Sequence, residues 1–160
     1  MKSVVSGGLL IGVICSVWMI IMGVAGWYKD PVMMHAFWIV LLIQAGVLIW
    51  GLKRTAAEGA TFGRLVLAGT LMSLVAGVLL FLFSYLYTTV IFPSYFEDLR
   101  LAQIEMLKSA GKTEEEIFRE VELASMAQTP LIQAISGFFG TVVTGLVLSL
   151  IIAPFVRKKS

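Results

Sequence analysis

Residues 65–92 read LVLAGTLMSLVAGVLLFLFSYLYTTVIF, a run without a single Asp, Glu, Lys or Arg. An α-helix rises about 1.5 Å per residue and the hydrocarbon core of a bilayer is about 30 Å thick, so about 20 apolar residues cross it. No water reaches the backbone in that core. A helix, which pairs its N–H and C=O groups internally, is the form such a run must take. Residues 65–92 therefore predict a transmembrane helix.

Three further runs pass the same test, at 4–27, 32–52 and 131–155, and none contains an ionisable Asp, Glu, Lys or Arg. The chain has 160 residues, 59% hydrophobic and only 14% charged, well on the apolar side of soluble domains. The fold class that follows is all-α: a polytopic membrane protein with four transmembrane helices and an amphipathic helical hairpin between the third and fourth. One domain accounts for residues 1–160, with the hairpin at about 94–128. The apolar start, Met1 and Lys2 ahead of a run containing Cys15, also invites comparison with a secretory leader. The run continues to Trp27, however, and Gly12, Val13 and Ile14 do not form a small-residue cleavage pattern. It reads as the first span, and Cys15, the only cysteine, reads as a small packing residue inside it.

Charge is sorted by position. With the N-terminus on the cytoplasmic side, that side carries Lys2, Lys53, Arg54, Arg64, Arg157, Lys158 and Lys159 against Glu58 alone. The opposite side carries Lys29, Arg100, Lys108, Lys112 and Arg119 against Asp30, Glu97, Asp98, Glu105, Glu114, Glu115, Glu116, Glu120 and Glu122. Basic residues crowd into short segments on one side, the pattern of the positive-inside rule, so both termini are expected in the cytoplasm. Trp27, Tyr28, Trp38, Trp50, Tyr85, Tyr87 and Tyr95 fall near span ends, where amphipathic rings sit at headgroup level.

Helices in lipid associate through close packing, because lipid tails are as apolar as leucine, and small residues let backbones approach. Gly8, Gly12, Ser16 and Gly23 share one face of the first span, and Gly69, Ser73, Gly77 and Ser84 repeat that spacing in the third. In the fourth, Ser136, Gly137, Gly140, Thr141, Thr144 and Gly145 make another small, weakly polar face. Helix packing is the reading for all three stripes. Gln44 and Gln133 are the most polar side chains inside spans, suited to interhelical hydrogen bonds and equally to lining a pathway.

The segment between Pro93 and Pro130 is punctuated for two helices. Ser94 with Glu97, and Thr113 with Glu116, have the capping-box spacing. Gly111 suits a left-handed helix end, while Thr129 and Pro130 suit the cap and first position of the last span. Phe96, Leu99, Gln103, Met106 and Leu107 on one helix, with Ile117, Val121 and Ala124 on the other, supply the apolar faces. Glu114, Glu115 and Glu116 could contact a basic partner, although acids in a first helical turn are accounted for by the helix dipole alone.

Three stretches carry a family resemblance: Thr61-Phe62-Gly63-Arg64 leading into the third span, Ile91-Phe92-Pro93-Ser94-Tyr95-Phe96-Glu97-Asp98, and Gly111-Lys112-Thr113-Glu114-Glu115-Glu116-Ile117. Over nearly its whole length, and most in its second half, the chain resembles domain-of-unknown-function family 4199, small bacterial four-helix membrane proteins. The resemblance implies four spans, an inserted acidic helical pair and a bacterial inner membrane. It transfers no activity and no site residues.

Function is read by class. No nucleophile with a base, no carboxylate pair at membrane depth and no metal-ligand cluster stands out, and the single histidine, His35, has no identifiable partner. The chain is read as non-enzymatic, with no cofactor, no metal and no nucleic-acid partner. Its expected partners are the lipid bilayer and other membrane chains, or copies of itself. The first functional reading is a non-catalytic accessory or interaction subunit of a membrane complex. The alternative is a small homo-oligomeric carrier or channel lined by Gln44 and the hydroxyls of the fourth span.

Overall fold

The computed structural model describes residues 2–30 and 32–157, and every regular element in them is helical. The six α-helices are α1 (Lys2–Val24), α2 (Ile39–Ala57), α3 (Phe62–Leu86), α4 (Tyr95–Ser109), α5 (Glu114–Ala127) and α6 (Pro130–Val156). Four helical stretches are long and apolar enough to cross a membrane: Lys2–Val24, Met33–Ala57, Phe62–Ile91 and Pro130–Val156. Lys158 and Lys159, named above among the basic residues of the cytoplasmic side, lie outside the described residues.

Glycine contacts give the helix directions. A Cβ at Gly8 would meet Met72 and Val75, one at Gly12 would meet Leu79, and one at Gly23 would meet Tyr87 and Phe92, so α1 and α3 run parallel. Gly69 faces Ser149, Ser73 faces Gly145 and Gly77 faces Phe138, so α3 and α6 run antiparallel. Packing follows the cyclic order α1, α2, α6, α3, with α2 also touching α3 across the bundle. Ile11, Leu48, Leu52, Leu65 and Met72 are fully buried at its centre, together with Cys15. Met72 sits where Gly7 and Gly51 both leave room for it, a three-helix junction formed by two glycines outside the predicted stripes.

The second span begins differently from the expectation of a continuous helix from residue 32. A tight 3₁₀ segment, Met33–Trp38, precedes α2. Its start is organised by Asp30, whose carboxylate Oδ1 accepts from the backbone N–H groups of Val32 (2.8 Å) and Met33 (3.1 Å). Short polar side chains satisfy first-turn donors in this way, and 3₁₀ geometry is common at helix starts. The third span also ends irregularly, in a π-turn at Tyr87–Ile91 closed by Phe92 N–H donating to the Tyr87 carbonyl at 2.7 Å. The hydroxyls of Thr88 and Thr89 bond back to the carbonyls of Ser84 (3.0 Å) and Tyr85 (2.7 Å), which suits an irregular turn next to Pro93.

The hairpin of α4 and α5 forms as its punctuation predicts at three points. Thr113 and Glu116 make a full reciprocal capping box, Gly111 has φ +77°, and the Thr129 hydroxyl accepts from Ile132 N–H ahead of Pro130. Ser94 departs from the expected box. It stands at the start of α4 but its hydroxyl donates to Asp98 Oδ2 (3.1 Å), and Glu97 turns to Arg100 instead. The Asp98 carboxylate, four residues on from Ser94, is held within its reach by two other groups described below. The small hairpin core is Leu107, Ile117 and Val121 with Ile104 against them, while Met106 stays exposed.

Candidate functional site

Three places concentrate polar chemistry or open surface. The first is inside the bundle. Gln44, only 2% exposed, projects from α2 between α3 and α6. Its Nε2 donates to the Thr141 carbonyl oxygen (2.8 Å) and to Ser73 Oγ (3.3 Å), and its Oε1 accepts from the Thr144 hydroxyl (3.0 Å). Beside it, the Ser149 hydroxyl bonds the Gly145 carbonyl at 2.6 Å, and Gly145 and Gly69 admit Ser73 and Ser149 where any β-carbon would collide. Among the described residues no buried side-chain N or O lacks a partner. A glutamine so satisfied ties three helices together, since leaving its amide unpaired in hydrocarbon would cost several kcal/mol, roughly, against the bonded state.

The second place joins the hairpin to the bundle. Asp98 Oδ2, on the first turn of α4, accepts from the Tyr28 hydroxyl (2.7 Å) and from Ser94, and pairs with Lys29 Nζ at 2.9 Å. The ring of Tyr28 packs on Tyr95, which meets Tyr87 edge-on, with ring centroids 4.9 Å apart for Tyr28 and Tyr95 and 5.7 Å for Tyr87 and Tyr95. Tyr28 and Tyr87 are buried, so these rings pack on one another rather than lying singly at the headgroup level; Trp38 and Tyr85 do remain exposed. The bonds from Lys29 and then Tyr28 hold the Asp98 carboxyl below the usual aspartate range, whereas burial, followed by the bond to Asp98, pushes the Tyr28 phenol up. A cleft of about 250 Å³ beside this joint is lined by Met34, Leu99, Ala102 and Met106 among others.

The third place is the outward side of α6. Gly137 and Gly140 are exposed and a Cβ at either would meet no atom, whereas Gly145 on the same helix faces inward against Ser73 and Gln44. Thr141 and Thr144 lie between the two sides, half-buried, bonding back to the carbonyls of Gly137 (2.8 Å) and Gly140 (2.7 Å). Of the predicted stripes, Gly8, Gly12 and Gly23 face α3 or the π-turn that extends it, Gly69, Ser73 and Gly77 face α6, and Ser84 is buried. Ser16 is half-buried and its hydroxyl bonds the Gly12 carbonyl at 2.8 Å.

The acidic triplet is exposed at the start of α5. Glu116 is occupied with the Thr113 cap, whose backbone N–H holds the carboxyl below its usual range, and Glu114 borders a groove of about 420 Å³ between α4 and α5. His35 is exposed in the 3₁₀ segment and Glu120 pairs with Lys112 on the hairpin. Among the described residues no three His, Cys, Asp or Glu side chains are grouped to hold a metal ion.

Four helices able to span a bilayer, a satisfied polar knot inside them and an extramembrane hairpin define an integral membrane protein of four-helix type. The chain belongs to the family described as Protein of unknown function (DUF4199), whose profile matches residues 7–158. No curated protein and no solved structure matches it.

Proposed function

We propose that this protein is a non-catalytic subunit of the bacterial inner membrane that binds another membrane chain through the outward face of α6. The observation that carries this reading is the pair Gly137 and Gly140, which expose backbone on a helix whose other glycine, Gly145, is filled by its own chain. Bare glycine in a lipid-facing position gains nothing against acyl chains and favours close approach of a second helix. The inner-membrane placement rests on the family resemblance, and the orientation, with both termini cytoplasmic, on the basic residues at the Lys2, Arg54, Arg64 and Arg157 end. The Gln44 amide is spent on Ser73, the Thr141 carbonyl and Thr144, which supports a structural part for it over lining a carrier pathway.

The test is cross-linking in native membranes of a Gly140→Cys variant in a Cys15→Ala background, followed by native mass spectrometry of the gently extracted protein. An adduct and a fixed stoichiometry with an unrelated chain are expected. A chain that stays monomeric in both measurements overturns the reading, and a homo-oligomer alone redirects it to self-association. Orientation is checked with Ser109→Cys and Ala57→Cys: impermeant thiol reagents applied from outside should label the first only.

A further inference from the structure

The basic end of the bundle holds a cleft that the packing of the spans leaves open. α1 starts there and α2 ends there, and between them lies a space of about 540 Å³ lined by Lys2, Ser3, Ser6, Arg54, Ala57 and Glu58. The ion pairs among the described residues, Lys29 with Asp98, Arg100 with Glu97 and Lys112 with Glu120, all lie at the opposite end. Among the described residues Lys2 and Arg54 therefore have no carboxylate in salt-bridge range, although Glu58 borders the same cleft. The Arg54 guanidinium stacks over the Trp50 ring, 4.3 Å from its centroid. An indole on a transmembrane helix end sits at headgroup depth, so the stacking holds the guanidinium at that depth. Ser3 and Ser6 bring hydroxyl side chains to the lining, and the Ser6 hydroxyl donates to the Ser3 carbonyl.

We propose that this cleft binds the phosphate group of an acidic membrane phospholipid, with Arg54 as the forked donor, Lys2 as the second cation and Ser3 as the neutral donor. Arginine suits the role because its planar guanidinium can donate to two phosphate oxygens at once. Charge discriminates between the two sources of phosphate. Lys2 and Arg54 against Glu58 sum to +1, which matches a lipid phosphodiester of charge −1. Free phosphate, between about −1 and −2 at neutral pH, carries more charge than the cleft's +1 compensates and meets a larger repulsion from Glu58 than the phosphodiester does. Basic pockets between transmembrane helices are a recurrent way of holding such headgroups.

The test uses the full chain in detergent, titrated with phosphatidylglycerol and observed by native mass spectrometry. Wild type is expected to bind one lipid preferentially over phosphatidylcholine. Arg54→Gln should weaken binding about fivefold, the effect of one basic residue at a membrane surface, with the melting temperature unchanged. Arg64→Gln, which removes a cation of the same end outside the cleft, should weaken it less than about twofold. Millimolar inorganic phosphate should not displace the lipid from wild type but should begin to do so from Glu58→Gln. Equal losses for Arg54→Gln and Arg64→Gln would mean diffuse attraction and overturn the site. Ready displacement by inorganic phosphate from wild type would overturn the lipid as its ligand.

Discussion

The side-chain amide of Gln44 donates to the backbone carbonyl of Thr141 at 2.8 Å, across 97 residues of chain. That carbonyl belongs to a helix whose Thr144 hydroxyl answers the same glutamine through Oε1. α2 and α6 are thereby joined by a side chain that exchanges bonds in both directions, with Ser73 of α3 as the third member. Replacing Gln44 by Ala removes all three bonds and leaves a void. The expected loss is about 1–3 kcal/mol, read as a lower SDS concentration at the unfolding midpoint. An unchanged midpoint would show that the knot contributes nothing to the association of the spans.

Gly145 and Ser73 are matched in size. A methyl at Gly145 runs into the Ser73 side chain, so Gly145→Ala is expected to destabilise by about 1–3 kcal/mol through overpacking. Adding Ser73→Gly should recover much of that loss, giving a coupling energy between the two positions. Gly140→Ala, which meets no atom of its own chain, should leave the isolated protein's stability unchanged and weaken only a complex formed on that face. The measurement is a thermal melt of each variant in one detergent.

Asp98 connects α4 to the loop after α1, and its loss should release the hairpin without unfolding the spans. Asp98→Asn is expected to raise the rate of tryptic cleavage at Lys108 and Lys112 several-fold. The carboxylate is partly solvated, which limits the effect to about 1 kcal/mol. Tyr28→Phe, which removes one of its bonds, should act in the same direction with a smaller effect. Cleavage at the wild-type rate in both variants would assign the anchoring to the stacked tyrosine rings alone.

The same joint sets a pH dependence. The Asp98 carboxyl is held below its ordinary range by Lys29 and then by Tyr28. Its contribution is therefore complete above the unfolded aspartate value, about 3.9, and is lost as pH falls through the lower folded value. A spin label on Ser109→Cys in the Cys15→Ala background should be restrained at neutral pH and should gain mobility as the solution is acidified below about pH 4. In the Asp98→Asn background the label should already be mobile at neutral pH and should show no such step. A step of equal size in both backgrounds would place the titration elsewhere.

The four spans, the break between α4 and α5 at Gly111, the Thr113 capping box and the Thr129 cap of α6 could all be read from the chain without coordinates. Each depends on residues within a few positions of one another, or on a run long enough to meet the thickness of a bilayer, and lipid makes that local rule strict because it offers the backbone no alternative partner. The stripes of small residues were also visible, but their use was not. Gly77 packs on Phe138 while Gly140 meets nothing, and no property of either residue distinguishes them. What separates them is which helix became whose neighbour. For the same reason Ser94 looked like a cap and became a donor to Asp98, and Tyr28, 70 positions from that aspartate, came to bond it and to pack its ring against Tyr95. Composition determined that this chain enters a membrane and where it turns. Only the tertiary structure decided which polar groups find each other inside the bundle, because pairs such as Gln44 and Thr144, 100 residues apart, exist only once the helices have chosen their order.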